Sequence, residues 1–275
     1  MTHSRPQIHE LLERYGLAAR REFGQNFVAD PNTVRRIAAL AEVGHGDLVV
    51  EIGPGLGSLT LALLETGADV IAVEIDSGMV AVAREVVGGA ARIVEADALS
   101  VDWDQLLVED DRPVHVVSNL PYNVGTTLIL DILAKVPRVV TLTVLVQAEV
   151  GDRLAATPGT KIYGIPSVLA AAHADVSVVA KVPPTVFVPR PKVDSAVVRL
   201  VRREEIADVN VDRLAQLVRA GFGQRRKMLR RSLGGLLNEE AITSVGVSPQ
   251  SRAEELDLGA WVRLASLPSS LPSDS

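Results

Sequence analysis

Asn119-Leu120-Pro121-Tyr122 directly follows the apolar run Val114-His115-Val116-Val117-Ser118, so an amide, a proline and an aromatic ring stand at the tip of what reads as a buried strand. This is equipment for gripping a planar amine. The exocyclic amino group of adenine is a poor nucleophile because its lone pair is delocalised into the ring. Two acceptors, the Asn119 side-chain oxygen and a backbone carbonyl near Leu120, can take the amine's two hydrogens and favour a pyramidal nitrogen. Tyr122 can stack on the base, a contact worth roughly 1–3 kcal/mol. The same four residues also suit a strand end followed by a proline turn, with Asn as turn former and Tyr as packing. The neighbouring elements must decide between the two.

Those elements alternate. Leu48 to Ile52 reads as a buried strand, followed by Gly53-Pro54-Gly55-Leu56-Gly57 and a helix over 58–65. Glycines between a strand and a helix let a ligand approach the backbone and present the unpaired amides of the helix N-terminus. The next strand, 69–73, leads into Glu74-Ile75-Asp76. Glu74 lies 21 positions after Gly53, the spacing at which an acid at the second strand's end meets a ribose diol. A third unit, helix 77–87 and strand 91–95, ends at Asp97, where ligands of open α/β sheets gather; capping the following turn is the other role open to Asp97. Helix 125–135, strand 139–146, helices 147–156 and 166–173, and strands 176–182 and 195–201 complete an expected doubly wound, mostly parallel α/β sheet. Between the last two strands, Pro183 to Lys192 carries four prolines and two cations, Arg190 and Lys192, and is expected to be a stiff loop with no regular element.

Upstream, residues 1–22 read as a short helical lead-in. Phe23-Gly24-Gln25-Asn26-Phe27-Val28 reads as a loop pinned by its two aromatics, and Asp30-Pro31 starts a helix that runs to about Glu42. Downstream, the alternation gives way to helices near 204–210. The expected domains are 1–204, a small helical domain over 205–265 and a Ser/Pro-rich disordered tail over 266–275. Helices are expected over 211–221, 224–237, 239–245, from a cap at Ser248, and over 258–265.

Composition narrows the chemistry. With 275 residues, 47% of them hydrophobic, the chain has ample material for one large domain and an appendage. The absence of cysteine excludes disulfides, thiolate metal sites and cysteine nucleophiles. His3, His9, His45, His115 and His173 show no metal-ligand spacing, so no metal is expected. Residues 1–14 lack the apolar core of a signal peptide, and the longest hydrophobic zone, 165–182, is broken by His173, Asp175 and Lys181. The expectation is a cytoplasmic monomer with no membrane partner. The formal net charge of −6 counts against binding a polyanion everywhere. Yet Arg219, Arg225, Arg226, Lys227, Arg230 and Arg231 fall close together, and Arg190, Lys192, Arg199, Arg202 and Arg203 form a second group, which makes a localised nucleic-acid site plausible.

Among nucleotide-like ligands, a dinucleotide is disfavoured because the loop reads Gly53-x-Gly55-x-Gly57 rather than G-x-G-x-x-G, and no acid or base for hydride transfer is evident. S-adenosylmethionine fits better: ribose on Glu74, adenine amine on Asp97, the amino-acid part over the glycines. An activated methyl donor asks the protein only to align donor with acceptor and exclude water.

Phe23-Gly24-Gln25-Asn26-Phe27, Glu51-Ile52-Gly53-Pro54-Gly55, Asn119-Leu120-Pro121-Tyr122-Asn123, Phe187 to Ser195 and Gln224-Arg225-Arg226-Lys227, in this order, resemble the ribosomal RNA small-subunit adenine dimethyltransferases over about residues 20–265. The resemblance implies a seven-stranded methyltransferase sheet with a C-terminal helical RNA-binding domain. It also implies four methyl transfers from S-adenosylmethionine, two onto each of two adjacent adenines near the 3′ end of small-subunit rRNA in a pre-ribosomal particle. By matching motif positions it implies cofactor contacts at Asn26, Val28, Gly53, Glu74, Asp97 and Asn119, with Gly55 in the glycine turn. Val28 departs from the family's Leu, which costs little if the contact is through the backbone. The sister enzymes that dimethylate one adenine of large-subunit rRNA share the core blocks, but Gln224 to Leu233 matches the small-subunit branch. A non-catalytic RNA-binding factor on the same fold would have no need of Asn119, Pro121 and Tyr122 together, and a DNA adenine methyltransferase would need a base-reading domain that the chain does not offer.

Overall fold

The computed structural model describes residues 2–20, 24–203 and 210–268. Phe23, most of the expected domain junction at 204–210 and the tail beyond Pro268 lie outside the described residues. The chain divides into two compact units, the described residues of Met1–Gly151 with Val176–Arg202, and those of Asp152–Asp175 with Arg203–Ser275.

The first unit carries the site. Its elements run α1 (Arg5–Arg14), β1 (Phe27–Val28), α2 (Pro31–Leu40), β2 (Leu48–Ile52), α3 (Ser58–Glu65), β3 (Asp69–Glu74), α4 (Ser77–Val87), β4 (Arg92–Glu95), α5 (Trp103–Leu106), β5 (Val114–Asn119), α6 (Gly125–Lys135) and β6 (Val139–Gln147). After α7 (Ala148–Leu154) and α8 (Ile165–His173) come β7 (Ala174–Val182), β8 (Phe187–Val188) and β9 (Ser195–Arg202). Seven strands form one sheet in the order β4-β3-β2-β5-β6-β9-β7, and β1 pairs with β8 in a separate two-stranded ribbon. Pairing is parallel from β4 through β6 and antiparallel between β6 and β9. From β2 the chain winds outward to β3 and β4, then crosses to the other side of β2 to form β5. The order therefore reverses between β2 and β5, and the crevice at the carboxyl ends of those two strands is where an open α/β sheet binds ligands.

The β2 strand is buried at all five positions, as a central strand covered on both faces must be. Val49, Val70, Val117 and Leu145 of the sheet pack with Val34, Ile37 and Ala38 of α2 and Leu59, Ala62 and Leu63 of α3. Each of the Val, Leu and Ile side chains among them contributes roughly 1.5–3 kcal/mol by leaving water, so the strand tips are held on a stiff base. Asp30 caps α2 by accepting the Thr33 N–H, with Pro31 in the first turn, and Asp76 caps α4 by accepting the Gly78 N–H.

The second unit holds α8, α9 (Val211–Gly223), α10 (Leu229–Ser232), α11 (Glu239–Ser244) and α12 (Leu258–Ala265). Phe222 of α9 stacks on Trp261 of α12 at 6.0 Å between ring centres and meets Tyr163 edge-on at 5.8 Å. Gly221 permits this, because a Cβ there would lie 2.6 Å from the Trp261 ring.

Three expectations are corrected. Residues 184–186 form a 3-10 turn and 187–188 a strand, so the proline-rich segment does contain regular structure; Phe187 and Val188 fall between the prolines and retain backbone N–H groups, and that of Phe187 donates to the Pro184 carbonyl. The helix expected over 224–237 is reduced to Leu229–Ser232, since Gln224 accepts the Lys227 N–H in a turn and Met228 pairs with Arg252 as an isolated bridge. The helix expected from Ser248 is a turn followed by a 3-10 segment at Ala253–Glu255. In addition, 152–175 groups with the helical unit rather than with the sheet, because α8 packs on α9 and α12.

Candidate active site

Gly53, Gly55 and Gly57 follow β2 with φ of 68°, 53° and 77°, a left-handed run that only glycine adopts without strain. A Cβ on Gly55 would also lie 2.9 Å from Phe27 Cε1, so the Phe27 ring covers this turn. Glu74, at the end of β3, is 5% exposed. Its Oε2 accepts the Gly55 N–H and its Oε1 the Asp76 N–H, each at 3.0 Å. Burial raises its pKa, and the backbone donors oppose that rise. Glu51 is buried more deeply, at 1% exposure, and its Oε2 accepts the Thr60 hydroxyl at 2.6 Å. Burial pushes it up to about 8, the Thr60 bond pulls it back, and the charge of Glu74 adds to the rise. Both carboxylates line one cleft, and neither forms an ion pair with a Lys or Arg among the described residues.

Across the strand-order reversal, the Ile52 N–H donates to the Ser118 hydroxyl at 2.8 Å and ties the ends of β2 and β5 together. Asn119 closes β5, and its Nδ2 donates to the Asn26 carbonyl at 2.8 Å. That bond fixes which end of the amide is the donor and leaves Oδ1 as the acceptor. On the tip, the Leu120 N–H donates to the Leu145 carbonyl, while the Pro121 carbonyl accepts the Val124 and Gly125 N–H groups. Among the described residues the Leu120 carbonyl accepts none of these bonds, which makes it the second acceptor. The half-buried Tyr122 hydroxyl is 2.7 Å from the Ser195 hydroxyl, and burial raises the phenol's pKa.

The segment that holds Asn119 is itself strapped down. A Cβ on Gly24 would come within 3.1–3.4 Å of Asn123, Tyr122 and Pro121, so this backbone lies against the tip. Phe27 pairs with Val188 and Val28 with Phe187, and the Ala29 N–H donates to the Val186 carbonyl. The Val28 side chain is buried in the core, and the Asn26 Nδ2 donates to the Gly24 carbonyl. Sequence reasoning placed Asn26 only as a cofactor contact. Its backbone carbonyl, which has no signature in the sequence, orients Asn119.

Asp97 is exposed and lines the cleft, and its Oδ1 accepts the Leu99 N–H at 2.9 Å, so it does cap the turn after β4 while leaving Oδ2 free for another donor. Beside it, Ile75 and Leu99 are 49% and 43% exposed and face the same cleft. Sequence reasoning missed both, as it missed Glu51, although each adjoins a residue or motif it had singled out. The lead-in was also underread. The His3 N–H donates to the Ser58 hydroxyl, its Nε2 to the Leu56 carbonyl, and Ile8 of α1 lines the cleft. Two buried acids, presented backbone amides and an apolar slot beside a free carboxylate oxygen suit a nucleoside that carries positive charge.

The basic residues separate. Arg190 and Lys192 are exposed on the proline-rich segment of the first unit. In the second, Arg226, Lys227 and Arg231 are exposed and form no ion pair with described residues, and Arg230 is 3.8 Å from Glu239. Arg225 is different. It is half-buried, with Nε donating to Glu254 at 2.6 Å and Nη2 to the Thr160 carbonyl, so its guanidinium is committed to packing the helical unit.

Known proteins share this arrangement. The model of the family "Ribosomal RNA adenine dimethylase" matches residues 16–268. A ribosomal RNA small subunit methyltransferase A from Phenylobacterium zucineum is 47% identical over 263 residues, covering 94% of this chain and 92% of the relative. A dimethyladenosine transferase from Plasmodium falciparum superposes with a TM-score of 0.71 at 23% identity over 86% of this chain and 94% of its own, which shows the fold. The 23S rRNA methyltransferase ErmE superposes with a TM-score of 0.69 at 28% identity, covering 86% and 97%. The family match takes in the glycine turn, Glu74, Asp97 and the Asn119 tip alike, and with it the chain belongs to the ribosomal RNA adenine dimethylase family.

Proposed function

We propose that the chain uses S-adenosylmethionine to dimethylate the exocyclic amino groups of two adjacent adenines near the 3′ end of small-subunit rRNA, acting as a cytoplasmic monomer on a partly assembled subunit. The observation that carries this reading is the Asn119 amide, held through Nδ2 by the Asn26 carbonyl so that Oδ1 is left as an acceptor beside the Leu120 carbonyl. Identity of 47% to a small-subunit enzyme, against 28% to ErmE, supports the small-subunit substrate over the large.

The bound cofactor supplies a methyl group on a positively charged sulfur. Glu74, whose two oxygens already anchor the turn through single backbone bonds, has lone pairs left for a ribose diol. Asp97 Oδ2 takes the adenine amine, and Ile75 and Leu99 cover the base. Glu74 favours a cation in the crevice over a neutral ligand, and a bound cation would in turn favour ionisation of the neighbouring Glu51, which is otherwise held protonated by burial. At the other side, Asn119 Oδ1 and the Leu120 carbonyl accept the two hydrogens of the target amine and Tyr122 stacks on its ring. No strong base is needed, because the nitrogen becomes acidic once it carries the new methyl and releases its proton to water. The target adenine must leave its stack to reach this tip, which favours an accessible strand over a closed duplex. Arg190, Lys192, Arg226, Lys227, Arg230 and Arg231 supply the electrostatic part of RNA binding.

Tritiated methyl transfer to unmethylated small and large subunits, followed by nucleoside analysis, tests the reading. Label in dimethyladenosine from the small subunit alone is the expected result; label in large-subunit RNA, or in neither, overturns it.

A further inference from the structure

Ser195 is the first residue of β9 and is fully buried. Its backbone is locked, since Ser195 pairs with Gln147 across the antiparallel junction and the neighbouring Asp194 carbonyl accepts the Ala148 N–H at 2.9 Å. Tyr122, by contrast, sits on the short tip between β5 and α6 and is only half-buried. The outer torsion of a tyrosine is broad, so packing on one side leaves the ring free to tilt. A hydrogen bond at the phenolic end removes that freedom, and the Ser195 hydroxyl provides it at 2.7 Å.

Stacking uses the ring face and does not need the hydroxyl. The methyl transfer gives neither hydroxyl a bond to make or break. Resting on the methyl-transfer reading above, we propose that Ser195 is a positioning residue: it fixes the plane of the Tyr122 ring, and through it the plane of the stacked adenine, so that the amine meets Asn119 Oδ1 and the Leu120 carbonyl at the angle transfer requires. The part of the sheet that holds Ser195 is reached from the proline-rich segment bearing Arg190 and Lys192, so the residues flanking the RNA contact and the one setting the ring belong to one continuous stretch.

The test is a double-mutant cycle on methyl transfer to unmethylated small subunits, with Ser195→Ala, Tyr122→Phe and the double variant, alongside the cofactor dissociation constant and the KM for RNA. Loss of one neutral hydrogen bond predicts a fall in kcat of about fivefold in each single variant. The KM for RNA and cofactor affinity should stay within about twofold, and the double variant should be no slower than either single one. A purely structural serine would instead lower cofactor affinity and leave Tyr122→Phe at wild-type kcat, and either result overturns the proposal. So does a double variant slowed by the product of the two single effects. If Ser195→Ala does not fold, Tyr122→Phe decides alone, through its kcat. Failure of the wild-type chain to label small subunits sinks the proposed function; wild-type labelling with unaffected variants sinks only the role of Ser195.

Discussion

Replacing Glu51 with Gln should make the protein more stable, and increasingly so as pH rises. Glu51 is buried against Thr60 and Glu74, and its pKa moves from 4.5 to about 8. Below pH 4.5 the carboxyl is neutral in both folded and unfolded chains and nothing is lost. Between 4.5 and about 8 the unfolded chain ionises while the folded one stays protonated, so native stability falls by about 1.4 kcal/mol per pH unit. At pH 7 the accumulated loss is about 3 kcal/mol, and it levels off once the folded group ionises as well. A Gln keeps the acceptor for the Thr60 hydroxyl and has no charge to desolvate. Glu51→Gln should therefore gain about 3 kcal/mol at pH 7 and less than about 1 kcal/mol at pH 5. For a chain of this size the gain at pH 7 corresponds to a Tm higher by about 6–12 °C. Thermal unfolding of both proteins at each unit from pH 5 to pH 8 measures this. A Tm difference that does not change with pH would refute the reasoning, as would a variant less stable at pH 8. The same substitution should weaken cofactor binding, because a positively charged ligand in the cleft would draw the Glu51 proton off and bind the carboxylate, a form that Gln cannot adopt.

Three other perturbations separate the roles within the site. Asn119→Ala should lower methyl transfer by at least about a hundredfold, the loss typical of a donor or acceptor aimed at the transition state, while the cofactor dissociation constant from calorimetry moves less than tenfold; near-normal turnover would remove the amine-polarising role. Glu74→Ala should weaken cofactor binding by about tenfold or more, since it removes the diol acceptor and releases the Gly55 N–H, and an unchanged constant would take Glu74 off the ribose. Neutralising Arg226, Lys227 and Arg231 should flatten the log–log salt dependence of RNA binding by roughly two units or more. Arg225→Ala should instead lower the melting temperature with little change in slope, because its charge is spent on Glu254; equal slopes for the triple variant and wild type would assign those three residues to a solvated face.

What could be read from the sequence was whatever leaves its mark on side chains at short range. The glycine turn, the acid 21 positions on and the amide at a strand tip each need particular residue types at particular spacings, and the fold class followed from the alternation of elements. Three things left no such mark. The acceptor that orients Asn119 is a backbone carbonyl, and any residue at position 26 would supply one. The pairing of 27–28 with 187–188 joins two-residue strands too short for a period to register. Arg225 looked like its neighbours because its partner, Glu254, is distant in sequence. Over the expected helix 224–237, Leu229, Leu233 and Leu237 recur at the fourfold spacing of a helical stripe, yet these buried leucines are set by a short helix and the turns around it.

The β1–β8 ribbon also dictates when this enzyme becomes competent. As the chain leaves the ribosome, the glycine turn, Glu74, Asp97 and the Asn119 tip all emerge before Phe187 and Val188. Until those two residues arrive, the Asn26 segment lacks its partner strand, and the Asn119 amide is held less firmly in the orientation that leaves Oδ1 as the acceptor. Closing so long a loop is the slow, non-local step of such a topology. A chain clipped upstream of Val188 would lose β9 as well as β8, so the antiparallel partner of β6 and the strand that pairs with the Asn26 segment would go together, and the site could not be completed by its first half alone.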